Sequence, residues 1–136
     1  MTLTPSLDLQ DMIYRRLISD ETITWPVFDR SPDNQPTSPV GYIEFGPEDI
    51  QEDDDECITG TNHQFQVDLY RNQDGMADLK QQMGLVKQSL HNYPGELTDN
   101  ALHSIRYIRS TVVKEPDGIN YHGVVQFEAL VESDIS

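Results

Sequence analysis

A strictly alternating segment, HQFQVDLYR at residues 63–71, most constrains the fold of this chain. Its apolar residues Phe65, Val67 and Leu69 fall on one side of an extended backbone, and mostly polar residues fall on the other. This period of two predicts a strand with one buried face and one solvated face. The buried face then needs a second layer of structure to cover it.

Two amphipathic helices can supply that layer. The first is predicted over residues 5–18, where Thr4 is a suitable N-cap and Pro5 occupies the favoured first helical position. Apolar residues at helical spacing give this segment a single stripe. The stripe consists of Leu9, Met12, Ile13 and Leu17.

The second helix is predicted over residues 74–91, with Asp74 as its N-cap and Pro94-Gly95 beyond its end. Its apolar residues recur at intervals of three and four and form one seam. The seam consists of Met76, Leu79, Met83, Val86 and Leu90.

The remaining segments complete an α+β pattern. A short extended stretch is predicted at 22–28, and strands are predicted at 40–45, 103–113 and 121–132. Loops are predicted at 30–39, at 46–62 and around the Pro-Asp-Gly at 116–118. The sequence therefore predicts one domain over residues 1–136, with a mixed or antiparallel sheet of about four strands and both helices on one face.

The charge balance excludes two classes of partner. The chain carries 24 acidic and 9 basic residues, a net charge of −15. Nucleic-acid binders and proteins adsorbed to anionic membranes need a basic surface, so we expect neither specific DNA binding nor membrane association. Solubility alone would also account for the negative charge.

No pattern in the sequence predicts catalysis, a metal or a cofactor. The single cysteine, Cys57, lies among carboxylates that disfavour its thiolate, and it forms no metal-ligand spacing. The acidic run at residues 48–56, which has seven carboxylates in nine positions, lacks the DxDxDG pattern and the final glutamate of a calcium loop. The four histidines show no metal-binding spacing, so structural or surface roles are expected for His63, His91, His103 and His122. We expect no enzymatic activity.

Several motifs occur in an order that resembles a known family. They are Val27-Phe28-Asp29 before the proline-rich loop, the strand from Pro39 to Ile43, the VDLYR run at 67–71 followed by Asp74-Gly75, the helix ending at 86–91, and the DGINYHG segment at 117–123 that continues to Glu132. In this order they resemble the tail-terminator, or tail-completion, proteins of long-tailed phages, related prophages and gene transfer agents. The resemblance extends from about residue 7 to residue 132.

The resemblance implies a structural virion protein. Such a protein would form a ring, usually a hexamer, that caps the tail tube, meets a head-side stopper or connector protein and leaves a channel through which DNA passes. Its place would be the tail end at the head–tail junction. Because the N-terminal residues show no signal-peptide pattern, we expect it in the host cytoplasm before assembly.

The acidic loop acquires a role under this interpretation. Carboxylates repel phosphates, so we predict that some members of the run face the channel or a ring surface that contacts a neighbour. A solvated loop without such a role is the alternative. The candidate residues are Glu52, Asp53, Asp54, Asp55 and Glu56.

Two other functions fit the sequence. One is another head–tail connector or tail-assembly factor of the same particles. The second, from a different class, is an acidic inhibitor that mimics DNA and occupies a nucleic-acid-binding enzyme.

Overall fold

Two helices and five strands make up the computed structural model, which describes residues 2–29, 41–54, 59–72 and 75–133 apart from the side chain of Asn72. The helices are α1 (Pro5–Ser19) and α2 (Met76–Leu90). The strands are β1 (Val27–Phe28), β2 (Tyr42–Glu52), β3 (Thr59–Asn72), β4 (Asn100–Lys114) and β5 (Asn120–Ser133). The predicted α+β class is confirmed, with one strand more than expected.

The strands form one mixed sheet in the order β1-β2-β3-β5-β4. Only the short β1 pairs in parallel, with Val27 opposite Ile43, and the other neighbours are antiparallel. The additional strand is the predicted extended stretch, whose last two residues join the sheet edge. Helix α2 connects β3 to β4, and β5 lies between them in the sheet.

The core lies between one face of this sheet and the two helices. Facing pairs such as Phe65–Phe127 and Val67–Val125 are buried on that face. The predicted stripes of both helices are buried against it, except that Met76 at the start of the α2 seam is only partly buried. The buried helix residues are Leu9, Met12, Ile13, Leu17, Leu79, Met83, Val86 and Leu90.

The predicted beginning of α1 is confirmed. Thr4 is the N-cap, its Oγ1 accepts a hydrogen bond from the N–H of Leu7 at 3.4 Å, and Pro5 opens the helix. At the other end, the N–H of Asp20 donates to the carbonyl of Arg16 at 3.1 Å.

The predicted N-cap of α2 is wrong. The N-cap position is Gly75, which has no side chain to accept a hydrogen bond, and Asp74 lies outside the described residues. Instead Asp78 stands in the first turn, where a carboxylate is favoured by the helix dipole, and Arg71 of β3 contacts it at 3.3 Å. Apolar periodicity locates the buried face of a helix but does not locate its first residue.

The predicted loop at 46–62 is also wrong for most of its length. Strand β2 continues to Glu52 and β3 begins at Thr59, so these residues form a long antiparallel hairpin. Residues 47–54 are all exposed, and a strand exposed on both faces carries no hydrophobic alternation to reveal it. The predicted loop at 30–39 lies outside the described residues.

The predicted turn between the last two strands is confirmed. The Oδ1 of Asp117 accepts hydrogen bonds from the N–H groups of Ile119 at 2.8 Å and Asn120 at 2.9 Å. Gly118 has φ +73°, a conformation that favours glycine. Within the described residues, neither helix has the length and apolar character needed to cross a membrane.

Candidate assembly surfaces

The predicted acidic residues lie at the far end of the β2–β3 hairpin. Glu52 ends β2, Asp53 and Asp54 follow it, and all three are exposed. Asp55 and Glu56 lie outside the described residues. We call residues 47–54 the acidic arm, because this exposed segment carries five carboxylates and no basic residue. They are Glu48, Asp49, Glu52, Asp53 and Asp54.

Backbone contacts hold the far end of the acidic arm. The N–H of Asp53 donates to the carbonyl of Gly60 at 2.9 Å, and the N–H of Gly60 donates to Oδ1 of Asp54 at 3.1 Å. A Cβ added at Gly60 would lie 2.7 Å from the Asp53 carbonyl oxygen, so this close approach requires glycine. The carboxylates are therefore presented on ordered backbone.

The near end of the acidic arm is fixed to the helix layer through Glu48. Its carboxylate accepts a hydrogen bond from the hydroxyl of Ser6 in α1 and lies 3.5 Å from Nδ1 of the buried His63. Burial of its carboxylate raises the pKa of Glu48, but the hydrogen bonds from His63 and Ser6 lower it by more. The net pKa of Glu48 is therefore lowered. Glu48 thus links the hairpin to α1 and to the core. In contrast, Asp49, Glu52 and Asp53 make no ion pair among the described residues.

The opposite edge of the sheet has the reverse charge. Strand β4 contains no aspartate or glutamate in its fifteen residues, although the chain contains 24. Residues 108–114 are all exposed, and we call them the basic edge. They combine Arg109 and Lys114 with three large apolar residues. These apolar residues are Ile108, Val112 and Val113, whose exposed fractions are 45%, 37% and 45%.

The segment that follows α2 covers the outer side of β4 just before the basic edge. The N–H of Asn92 donates to the carbonyl of Ile105 at 2.8 Å, and the N–H of Tyr107 donates to Nδ1 of His91 at 3.0 Å. Such cover protects an edge from uncontrolled pairing. Among the described residues, the basic edge itself has only β5 as a strand partner.

The sheet face opposite the helices carries an aromatic row. The rings of Tyr42 and Tyr70 stack at 5.0 Å between centroids, and Tyr70 stacks on His122 at 4.4 Å. These residues face one another across β2, β3 and β5. The row binds three strands together on the face that the helices leave open.

Carboxylates flank His122 on this face. Its Nε2 lies 3.0 Å from Asp68, and its Nδ1 lies 3.4 Å from Glu115 beside the β4–β5 turn. The hydrogen bond with Asp68 raises the pKa of His122, and the negative charges of Asp68 and Glu115 raise it further. Burial lowers this pKa by less, so the net shift is upward. Burial, with the charges of Glu44 and Glu115, raises the pKa of Tyr42 to about 12. His122, Asp68 and Glu115 therefore form a charge cluster on this face.

A shallow hollow of about 320 Å³ crosses the same face. It runs between bulges in β2 and β4, which bend the two strands. Apolar atoms make up most of its lining, and among these lining residues no nucleophile and base converge. Its polar lining includes Asp49, Gln64, Gln66, Arg109 and Gln126.

A metal site is likewise not formed in the part of the chain that the structure describes, where no three side chains of His, Cys, Asp or Glu come together suitably. Cys57 lies outside that part. The histidines have structural contacts: His63 is buried against Thr61 at 2.7 Å, and His103 contacts Glu132 at 2.8 Å.

Sequence reasoning identified the acidic arm by composition but missed the basic edge. The available signal was the absence of carboxylates from residues 100–114 in a strongly acidic chain. Its meaning depends on sheet order, because only an edge strand presents such a segment to another molecule.

Comparison with known proteins identifies a family and a similar fold for this chain. The family described as tail completion protein gp17 matches residues 11–132. A chain from the structure titled "Virion of native gene transfer agent (GTA) particle" is 21% identical with a TM-score of 0.86. The superposition covers 97% of this chain and 100% of that chain. No curated protein matches significantly.

Proposed function

Because the chain belongs to the tail completion protein gp17 family, we propose that it caps the tail tube as a ring of identical subunits and joins the tail to a head-side connector. Family membership makes it a structural protein of the virion tail and not an enzyme. The DNA-mimicking inhibitor considered from composition is not favoured by any feature of the fold.

The observation that carries the ring is the presence of two different exposed edges on one sheet. The acidic arm lies on one side and the basic edge on the other. A closed ring is built by heterologous contacts, in which each subunit uses two distinct surfaces. A hexamer is the expected size from the family resemblance. The similar fold in a gene transfer agent virion supports the assignment to a particle of this kind.

The ring leaves a channel for DNA without binding it. A net charge of −15 per subunit favours this, because carboxylates around a channel repel the phosphates that pass. Glu52, Asp53 and Asp54 on the acidic arm, with Asp55 and Glu56, are proposed to lie at the channel or at a subunit contact. Neutralising them would then impair assembly or DNA delivery.

The capping role is tested with particles assembled without this protein. Tail tubes should then fail to join heads, and purified wild-type protein should restore joining, with a six-fold ring visible at the head-proximal end of the tube. Heads that join tails normally in its absence would disprove the role.

The acidic residues are tested with the double variant Asp53→Asn and Asp54→Asn. Assembly yield and DNA delivery are measured for it and for a matched control, Asp11→Asn with Asp29→Asn, which removes two carboxylates elsewhere. We expect a loss only in the first variant. Unchanged assembly and delivery would show that these carboxylates have no role in the ring.

A further inference from the structure

The basic edge has the properties of a strand that awaits a partner. Seven consecutive residues are exposed, and three of them, Ile108, Val112 and Val113, are large, apolar and β-branched. Exposed apolar edges of this kind pair with other chains unless they are protected. The cover provided by His91 and Asn92 ends at Tyr107, so protection stops where the basic edge begins.

The charges of the basic edge are also unsatisfied. No carboxylate in the described structure pairs with Arg109 or Lys114; Arg109 donates to the neutral Gln126 amide at 2.6 Å. The other basic residue of β4, Arg106, is already paired with Glu128 at 2.8 Å. Two cations therefore remain available in a molecule dominated by negative charge.

The acidic arm offers the complementary surface. Beyond Phe45, β2 pairs only with β3 among the described residues, because β1 reaches no further than Glu44. This stretch is exposed and includes Ile50 at 46% exposure beside its carboxylates. It therefore resembles the basic edge in length and carries the opposite charge, and Ile50 adds apolar area.

We propose that the basic edge of one subunit docks on the acidic arm of a second copy of this chain, and that this contact closes the ring. The proposal rests on the ring described under the proposed function. The contact combines strand pairing with charge pairs from Arg109 and Lys114 to Asp49, Glu52 or Asp53. It also relieves the repulsion between subunits that each carry −15.

Strand directions are compatible with this contact. Three successive antiparallel steps, β2 to β3 to β5 to β4, make β4 antiparallel to β2 within one sheet. Rotation about an axis that runs roughly along the strands preserves this relation between neighbouring copies. The new pair is then antiparallel, the arrangement that forms the more stable ladder.

The two surfaces occupy diagonally opposite corners of the sheet. Thr111 lies level with Glu44, whereas Ile50 lies level with Ile105. These two levels are five residues apart along β3 and β5, so joining the surfaces offsets neighbouring sheets by roughly 17 Å, at about 3.3 Å per residue. Such a stagger tilts the strands relative to the ring axis, as closure of any barrel requires.

Charge reversal on each surface tests the contact. Variant one is Arg109→Glu with Lys114→Glu, and variant two is Glu52→Lys with Asp53→Lys. Each alone should reduce the ring population about tenfold or more, because like charges then meet at every contact. Mixed in equal amounts, the two should form rings again, since each reversed surface meets an opposite charge. Native mass spectrometry should show three copies of each in a hexamer.

Matched controls make the same charge changes on the helix side. Arg15→Glu with Lys80→Glu corresponds to variant one, and Glu21→Lys with Glu96→Lys corresponds to variant two. Both controls should form rings, and circular dichroism should show all variants folded. Rings are counted by negative-stain microscopy with and without the tail tube present.

The outcomes separate this inference from the proposed function. The contact would be overturned if either reversed variant alone formed rings at the wild-type level, or if the two variants formed no rings when mixed. Neither result would contradict the proposed ring itself. A wild-type protein that forms no ring even on the tail tube would overturn the proposed ring itself. Rings that form from the wild type and from the mixture, but from neither reversed variant alone, support both the ring and the contact.

Discussion

The carboxylate of Asp8 accepts two hydrogen bonds from Asn100, one from its backbone N–H at 3.0 Å and one from its side-chain amide at 2.9 Å, across 92 positions of the chain. The backbone N–H groups of Thr98 and Asp99 donate to the same carboxylate at 2.8 Å and 2.7 Å. This fully buried group attaches α1 to the start of β4. The strand that carries the basic edge is therefore positioned by the first helix.

Asp8→Ala should destabilise the fold strongly. Four donors would lose their acceptor in a buried site, and breaking such a set costs about 3–5 kcal/mol. Urea unfolding of the variant measures the loss. Asp11→Ala, on the exposed side of the same helix, should change the free energy of unfolding by less than about 0.5 kcal/mol. Equal effects would show that the Asp8 contacts contribute little.

Acid should remove the stabilisation that Asp8 provides. Burial raises its pKa, but the hydrogen bonds from Thr98, Asp99 and Asn100 outweigh it, so the folded pKa lies below the ordinary 3.8. The contribution is complete above that ordinary value and is lost as the pH falls through the folded pKa. Unfolding curves between pH 6 and pH 2 should show a steeper decline for wild type than for Asp8→Asn. Parallel declines would contradict this assignment.

His122 should contribute stability with the opposite dependence on pH. Its hydrogen bond with Asp68 raises its folded pKa above the ordinary 6.5. The contribution is therefore complete below pH 6.5 and is lost as the pH rises through the folded pKa. Nuclear magnetic resonance titration of the ring should give a raised midpoint that returns toward 6.5 in Asp68→Asn. An unchanged midpoint in that variant would exclude Asp68 as the cause.

Gly60→Ala should disturb the acidic arm without unfolding the protein. The added Cβ would lie 2.7 Å from the carbonyl oxygen of Asp53, so the end of the arm must move. We expect fewer rings by negative-stain microscopy and a change in unfolding free energy of about 1 kcal/mol or less.

Gly84→Ala is the control for this substitution. A Cβ at Gly84 meets open space on helix α2, so alanine should stabilise the protein by about 0.5–1 kcal/mol. Ring formation should stay at the wild-type level. A similar loss of rings in both variants would remove the support for a role of the arm.

Local periodicity predicted the parts of the fold in which one face is buried. The stripe of α1, the seam of α2 and the alternation of β3 and β5 all reappear in the structure, because burial on one face imposes period 3.6 or period 2 on the residues themselves. The N-cap Thr4 and the Asp117-Gly118 turn were predictable for a similar reason, since each depends on residues a few positions apart.

The sequence by itself thus determined the acidic, α+β character of the chain and, through the order of its motifs, its family. Tertiary structure alone decided that residues 47–52 extend as strand, that β5 lies between β3 and β4, and that β4 becomes an edge. These features depend on contacts between distant segments, as the hydrogen bond from the N–H of Asn100 to the carboxylate of Asp8 illustrates. Side chains exposed on both faces carry no period, so a surface reserved for a partner leaves little trace in the sequence.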